Sequence, residues 1–243
     1  MKAYQRYLIN FIMFLGLWFL FYEMINHPLI LPHPSHVLKA FFSILTESMY
    51  LISIGMTFMR LISIIFAISV LAISLGFFMG KHHHAEVFFR PWFTGIKTVP
   101  VISIVIIILI IFGPSLAPWI ITFMVVFPII YQATLEGMHH INKDLLDVFY
   151  LEHAHFKESI MYVYLPLLKN HIMLSILQSF SLGLKVLIMA EYFAQTKYSI
   201  GRSLFIAKSN IDYAYVFAWT VIIVLCAILL ETIIYRVQHH LSD

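Results

Sequence analysis

The sequence predicts an all-α, polytopic membrane protein that forms a single domain over residues 1–243. Hydrophobic residues make up 61% of the chain and charged residues only 11%, which is too little polar surface for a soluble fold of this length. The apolar runs also match the roughly 20 residues that an α-helix needs to cross about 30 Å of hydrocarbon. Together these observations exclude a soluble globular domain.

The apolar runs predict about six transmembrane helices. The first run follows Lys2 and Arg6, as in a signal peptide, but it is long for one and no small-x-small cleavage site follows it. The stretch at 37–47 is amphipathic and too short to span, so we expect it at the membrane interface. The segment GPSLAP at 113–118 predicts a tight turn. We predict transmembrane helices near residues 8–26, 52–80, 92–113, 117–135, 170–194 and 213–236.

Basic residues are unevenly distributed between the two sides of the predicted helices. Cytoplasmic segments carry an excess of Lys and Arg. The excess predicts that both termini and the polar loop at 139–169 lie in the cytoplasm. One side holds Lys2, Arg6, Lys81, Arg90, Lys97, Lys143, Lys157, Lys169 and Arg236, and the other holds Lys39, Lys197, Arg202 and Lys208.

The loop at 139–169 is the longest polar segment of the chain. Acidic and basic residues alternate through it, and Val148, Leu151 and His155 recur near helical spacing. This pattern predicts short helices, with Pro166 fixing the start of the fifth transmembrane helix. A helical loop with the exposed aromatic residue Phe149 favours docking of a protein partner. The alternative is a solvated connector.

Motifs along most of the chain resemble the permease subunits of type I ATP-binding-cassette (ABC) importers, the inner-membrane components of binding-protein-dependent uptake systems. In the polar loop, Asp147 takes the acidic position of the coupling motif and Leu165-Pro166 follows at the expected distance. His153 stands where the family has glycine, and Phe149 replaces a small residue. Further segments are similar to the nitrate, sulfonate, taurine and thiamine-precursor branch: LPHPSHVLKAF at 31–41, the run at 57–80 with Arg60, Gly76 and Gly80, Pro91, Pro100, Gly113, Gly183, Ala190-Glu191 and Ile200-Gly201.

This resemblance implies a division of labour between several chains. Two permease chains form the pore in a bacterial inner membrane, either two copies of this chain, as is usual in this branch, or two related chains. Cytosolic ABC ATPase subunits bind ATP and Mg²⁺, and an extracytoplasmic solute-binding protein delivers the solute. No GxxxxGK[ST] loop occurs in the sequence, so we expect no cofactor on this chain and no enzymatic activity of its own. No feature points to nucleic acid. The residues expected to contact the ATPase are Asp147, Phe149, Glu152, His153, Ala154 and Pro166.

The predicted fifth helix carries a polar stripe inside the membrane. A charge near the middle of the bilayer costs about 2.5–3.5 kcal/mol on insertion scales, so Lys185 should not face lipid. The stripe either packs against neighbouring helices or lines the solute pathway, where Lys185 would favour an anion. Glu191 lies on a different face, and the resemblance puts it near the outer end of the pathway. The candidate pathway residues are His171, Ser175, Gln178, Ser181, Lys185 and Glu191.

Two other classes of function and one other kind of site compete with this interpretation. A scaffold of an energy-coupling-factor vitamin transporter would also dock ATPases, but it would lack the LPHPSH segment and the late Ala-Glu pair. An intramembrane enzyme would need facing acids or a His-Asp set inside the spans. The run His82–His84 could suggest a metal site. Consecutive residues of a helix point apart, so we predict a solvated interfacial cap and no metal.

Overall fold

The computed structural model describes residues 3–25, 27, 30–142 and 160–242. Within these ranges the chain is helical and contains no strand, which confirms the all-α prediction. A π-helical turn, Ile160–Tyr164, leads directly into α6. The helices are α1 (Ala3–Ile25), α2 (Pro34–Thr46), α3 (Ser48–Lys81), α4 (His83–Thr98), α5 (Val101–His139), α6 (Leu165–Ala194), α7 (Ile200–Ser209) and α8 (Tyr213–Ser242).

Four helices in the described part of the chain are long and apolar enough to cross a membrane: Ser48–Lys81, Val101–His139, Tyr162–Ala194 and Tyr213–Arg236. In α1, the stretch Leu15–Ile25 is apolar but shorter. The multi-pass membrane architecture is thereby confirmed. The amphipathic stretch at 37–47 forms most of α2, which packs on α8.

Helix α5 contains a sharp break at Gly113. This glycine has φ 71° and ψ 175°, a conformation that residues with a Cβ rarely adopt. It separates a first segment (101–112) from a second segment (114–139), and apolar residues of the two pack together, with Val105 and Ile108 against Ala117 and Ile121. The sequence predicts a turn over 113–118. In the structure, the helix is interrupted at the first of these residues, Gly113.

The single helix predicted at 92–113 is wrong. Helix α4 begins at His83 and ends at Thr98, and α5 begins only at Val101. Val99 and Pro100 are extended, with ψ of 124° and 121°. Proline lacks an N–H and disfavours the helical conformation in the residue before it, so the helix stops here. The fourth predicted helix also ended too early, at residue 135, because α5 continues to His139.

Helix α4 runs antiparallel to the second segment of α5. Glu86, near the start of α4, lies 3.0 Å from Nε2 of His139 at the end of α5. Further along α4, the Phe93 ring stacks on Tyr131 with a centroid distance of 4.1 Å. Helix α4 and the first segment of α5 therefore form one pass with a break near its middle.

The long helices have two well-separated ends. At one end, Gly137 of α5 lies against Leu168 of α6. At the other, the Thr196 hydroxyl donates a hydrogen bond of 2.8 Å to the Pro114 carbonyl oxygen. We call the first the Gly137 end and the second the α7 end, because α7 follows Thr196. Asn142, which follows α5, and Tyr164, which precedes α6, both lie at the Gly137 end.

A close approach of α3 to α5 generates a prediction. A Cβ on Gly76 would lie 2.8 Å from the Thr134 Cβ and 2.9 Å from the Tyr131 carbonyl oxygen, where the backbone cannot yield. We expect Gly76→Ala to lower the free energy of unfolding by about 1–3 kcal/mol through overpacking, measured by denaturant titration in detergent. Gly55→Ala in the same helix meets open space and serves as the control. Equal stability of the two variants would contradict the packing described.

Candidate functional site

A cavity of about 590 Å³ lies between α4, α5 and α6. Most of its wall is apolar and consists of Ile, Val, Leu and Met side chains. Five polar side chains among the described residues converge on it, which is the usual pattern of a solute site. They are Gln132 and Glu136 of α5 and His171, Ser175 and Gln178 of α6.

The α5 side of the cavity holds a polar pair that the sequence reasoning missed. Nε2 of Gln132 donates a hydrogen bond of 2.6 Å to Oε1 of Glu136, four residues later. Both side chains are exposed. The predicted fourth helix ended at residue 135 and left Glu136 outside the membrane. The available signal was the glutamine and glutamate at i and i+4, which share one face of a helix.

The predicted stripe on α6 is only partly brought together. His171 and Gln178 are exposed on the cavity, and His171 also stacks on His140. Ser175 lines the cavity but is 3% exposed, and its hydroxyl donates to the Ile172 carbonyl oxygen at 2.7 Å. The remaining members lie elsewhere. Ser181 donates a 2.8 Å hydrogen bond to Glu231 of α8, and Lys185 is exposed beyond the cavity lining.

The break between α4 and α5 forms part of the cavity wall. Val99 and Val101, on either side of Pro100, both line it. Main-chain groups that leave a helix inside an apolar region are tolerated where they are buried in protein or face a water-filled cavity. Discontinuous helices with such exposed ends are a recurrent feature of solute sites in transport proteins.

Glu191 is placed away from this cavity, at the centre of a buried ionic cluster near the α7 end. Its side chain is fully buried and forms an ion pair with Nη1 of Arg60 in α3. The Thr57 hydroxyl donates to Oε2 of Glu191 at 2.9 Å. Main-chain N–H groups at the start of α7 complete the cluster: Ile200 donates to the Thr57 hydroxyl at 3.1 Å and Gly201 to Oε2 of Glu191 at 3.5 Å.

We call Thr57, Arg60, Glu191, Ile200 and Gly201 the Glu191 clamp. It joins α3, α6 and the positive end of the α7 dipole around one carboxylate. Gly201 is required because a Cβ there would lie 2.3 Å from the Tyr192 nitrogen and 2.6 Å from the Ile188 carbonyl oxygen. The sequence contains the signal for this pair, since intramembrane charges of opposite sign tend to pair and Arg60 lies in the second predicted helix. It does not show that this face of α3 meets α6.

The residues predicted to contact an ATPase are mostly not described. Asp147, Phe149, Glu152, His153 and Ala154 lie outside the described residues. Pro166 is in the first turn of α6, where its missing N–H costs no hydrogen bond. Within the part of the chain that the structure describes, no group of three or more His, Cys, Asp or Glu residues could hold a metal ion.

The Glu191 clamp generates a prediction about stability. Arg60→Met leaves a buried carboxylate without its cation, and we expect a loss of about 3–5 kcal/mol in the free energy of unfolding. The double variant Arg60→Met, Glu191→Leu removes both charges and should be more stable than Arg60→Met alone. Denaturant titration in detergent measures both, with Arg202→Met in α7 as a control outside the clamp. A free energy of unfolding in the double variant that is no higher than in Arg60→Met would contradict the clamp.

Comparison with known proteins gives one match and one negative result. No curated protein matches the chain. The family model described as "Binding-protein-dependent transport system inner membrane component" matches residues 72–243, which is more than half of the chain. The matched range includes the cavity residues of α5 and α6 together with Glu191 and Gly201. The multi-pass helical fold agrees with this description. The chain belongs to the family of inner-membrane components of binding-protein-dependent transport systems, whose members are ABC transport permeases and not enzymes.

Proposed function

We propose that this chain is the permease subunit of a type I ABC importer, with its solute pathway along the cavity face of α5 and α6. The observation that carries the proposal is the cavity itself, in which a broken helix and five polar side chains meet inside an otherwise apolar bundle. The Gly137 end and both termini face the cytoplasm, as the basic residues indicate. The α7 end then receives solute from a binding protein.

The exposed face of α6 supports a homodimeric pore. His171, Gln178 and Lys185 are all exposed on this face of a membrane-spanning helix. Lipid cannot solvate a lysine at such depth without a cost of about 2.5–3.5 kcal/mol. A second copy that covers this face and encloses a hydrated pathway between the two α6 helices removes that cost.

Helix α6 supports a coupling mechanism. It contains 30 residues, begins at Leu165 within the last part of the predicted coupling segment and holds the Glu191 clamp near its other end. At about 1.5 Å per residue this is a rod of roughly 45 Å. ATP and Mg²⁺ bind to cytosolic ATPase subunits, whose closure displaces the segment at 139–169. Helix α6 carries the displacement past the cavity to α7, because the clamp holds α7 on its end.

The solute belongs to the range of the nitrate, sulfonate, taurine and thiamine-precursor branch that the sequence resembles. It is a small anion or a small organic molecule, such as nitrate, a sulfonate or a vitamin precursor. Affinity purification of the tagged chain from native membranes tests the assembly. An ABC ATPase and a second copy of the permease should co-purify, and recovery of the chain without any nucleotide-hydrolysing subunit would contradict the proposal.

The coupling role predicts the effect of a charge at Phe149. We expect Phe149→Asp to leave the chain inserted in the membrane but to reduce ATPase co-purification and solute uptake by at least about tenfold, because an aromatic anchor at an interface is worth roughly 2 kcal/mol or more. Tyr198→Asp adds the same surface charge at the α7 end, far from the ATPase, and is the control for co-purification, which it should leave unchanged. Normal uptake by the Phe149 variant would refute the docking role.

The pathway role predicts a separate phenotype for Lys185. We expect Lys185→Ala to retain ATPase assembly but to lose most ATP hydrolysis that the binding protein stimulates, because the pathway loses its intramembrane cation. Lys185→Arg, which keeps a cation at this position, is the matched control and should retain the stimulation. If the binding protein stimulated ATP hydrolysis equally in Lys185→Ala and the wild type, Lys185 would have no role in the solute pathway.

A further inference from the structure

We propose that the cavity between α4, α5 and α6 selects a small organic solute that carries an amino or ammonium group, and disfavours inorganic oxyanions. This inference rests on the proposed function, which makes the cavity part of the solute pathway. It narrows the range of solutes to one chemical class. Three features of the cavity support this inference: the charge of Glu136, the hydrogen-bonding groups of Gln178 and His171, and the apolar wall.

The charge of the cavity comes from Glu136. Among the lining side chains that the structure describes, Glu136 is the one carboxylate, and none is a lysine or arginine. Its Oε1 accepts the Gln132 amide, and its Oε2 accepts no hydrogen bond from any described residue. An exposed carboxylate oxygen inside a membrane protein is a strong acceptor that favours a donor of positive charge.

Lys185, which the sequence suggests as an attraction for anions, does not line the cavity. It follows the lining residue Leu182 by one helical turn, in the direction of the α7 end. From His171 to Lys185 the helix rises by roughly 20 Å. The lysine therefore lies beyond the cavity on the outer side, while the carboxylate of Glu136 lies in its lining near the Gly137 end. An oxyanion would lose hydration in the cavity and also meet a like charge, which is unfavourable on both counts.

The other groups of the cavity fit an organic solute of either sign. Gln178 and His171 each offer hydrogen-bonding atoms to the cavity. The Ser175 hydroxyl is already used on the Ile172 carbonyl oxygen. The apolar wall of Ile, Val, Leu and Met favours a hydrophobic body. These groups provide affinity, and Glu136 sets the sign of the charge that is preferred.

Three probes that share one ring test this inference: benzylammonium, benzyl alcohol and benzoate. Binding is measured by the shift of the unfolding temperature with probe concentration, using the permease with its ATPase in nanodiscs of neutral phosphatidylcholine. Empty nanodiscs correct for partitioning into lipid. We expect benzylammonium to bind at least about tenfold more tightly than benzoate, with benzyl alcohol between them, since a single close charge interaction supplies 1.4 kcal/mol or more.

Variants assign the preference to Glu136. Glu136→Gln should bring the ratio of benzylammonium to benzoate affinity close to one, whereas Glu136→Asp, which keeps the charge, should retain the preference. Glu231→Gln is the matched control, because it removes a carboxylate from a membrane-spanning helix outside the cavity lining.

The outcomes distinguish this inference from the proposed function. Equal or tighter binding of benzoate by the wild-type chain, or an unchanged preference in Glu136→Gln, would overturn the inference even if the ATPase is bound and active. Failure of any ATPase to co-purify would overturn the proposed function. The probe measurement is then made on the permease alone and still decides whether the cavity prefers ammonium over carboxylate.

Discussion

The ion pair between Arg60 and Glu191 is the interaction on which the arrangement of the helices depends. A carboxylate that is fully buried in an apolar bundle is tolerated only when a cation and hydrogen-bond donors surround it. Here the donors come from α3 and α7 and the carboxylate belongs to α6, so the charge fixes the relative positions of three helices. Helix α3 must present Thr57 and Arg60 on one face, and α7 must begin with its N–H groups directed at the same site. The pair therefore makes the relative placement of these helices specific, since most other contacts in the bundle are non-directional apolar packing.

The opposite end of the bundle is held together by close packing. Gly76 and Gly80 of α3 allow Thr134 and Met138 of α5 to approach, and Gly137 does the same for Leu168 of α6. Contacts between small residues are the usual basis of helix association in membranes, where hydrophobic burial gives little driving force. The cavity lies between an end fixed by charge and an end fixed by packing. In the proposed mechanism, movement of α6 changes the shape of the cavity, because α6 forms one of its walls.

The sequence predicts the helical architecture well because hydrocarbon imposes a simple requirement of length and polarity. The runs that become α3, α6 and α8 are correctly located, and the glycine of GPSLAP marks the break in α5. The break at Pro100 was missed because apolar periodicity continues across a two-residue interruption. Glu136 was missed for a related reason, since helix ends are the least certain part of such a prediction.

The Glu191 clamp was harder to predict because it requires tertiary structure. Its members are adjacent in space, yet Thr57 and Glu191 are 134 residues apart in the chain. Periodicity places residues on the face of one helix but does not say which faces meet. For the α6 stripe, periodicity groups the residues on one side of the helix, but only the structure separates His171 and Gln178 on the cavity from Ser181 beside Glu231.

The distance along the chain between the two charges of the clamp also bears on biogenesis. Glu191 is made 131 residues after Arg60, which corresponds to a delay on the order of ten seconds at ordinary rates of translation. During this time α3 enters the bilayer with an unpaired guanidinium. The long apolar run around Arg60 must therefore favour insertion strongly enough to offset that charge. The hydrophobicity of α3 is therefore needed for insertion of the nascent chain at the translocon as well as for packing in the folded protein.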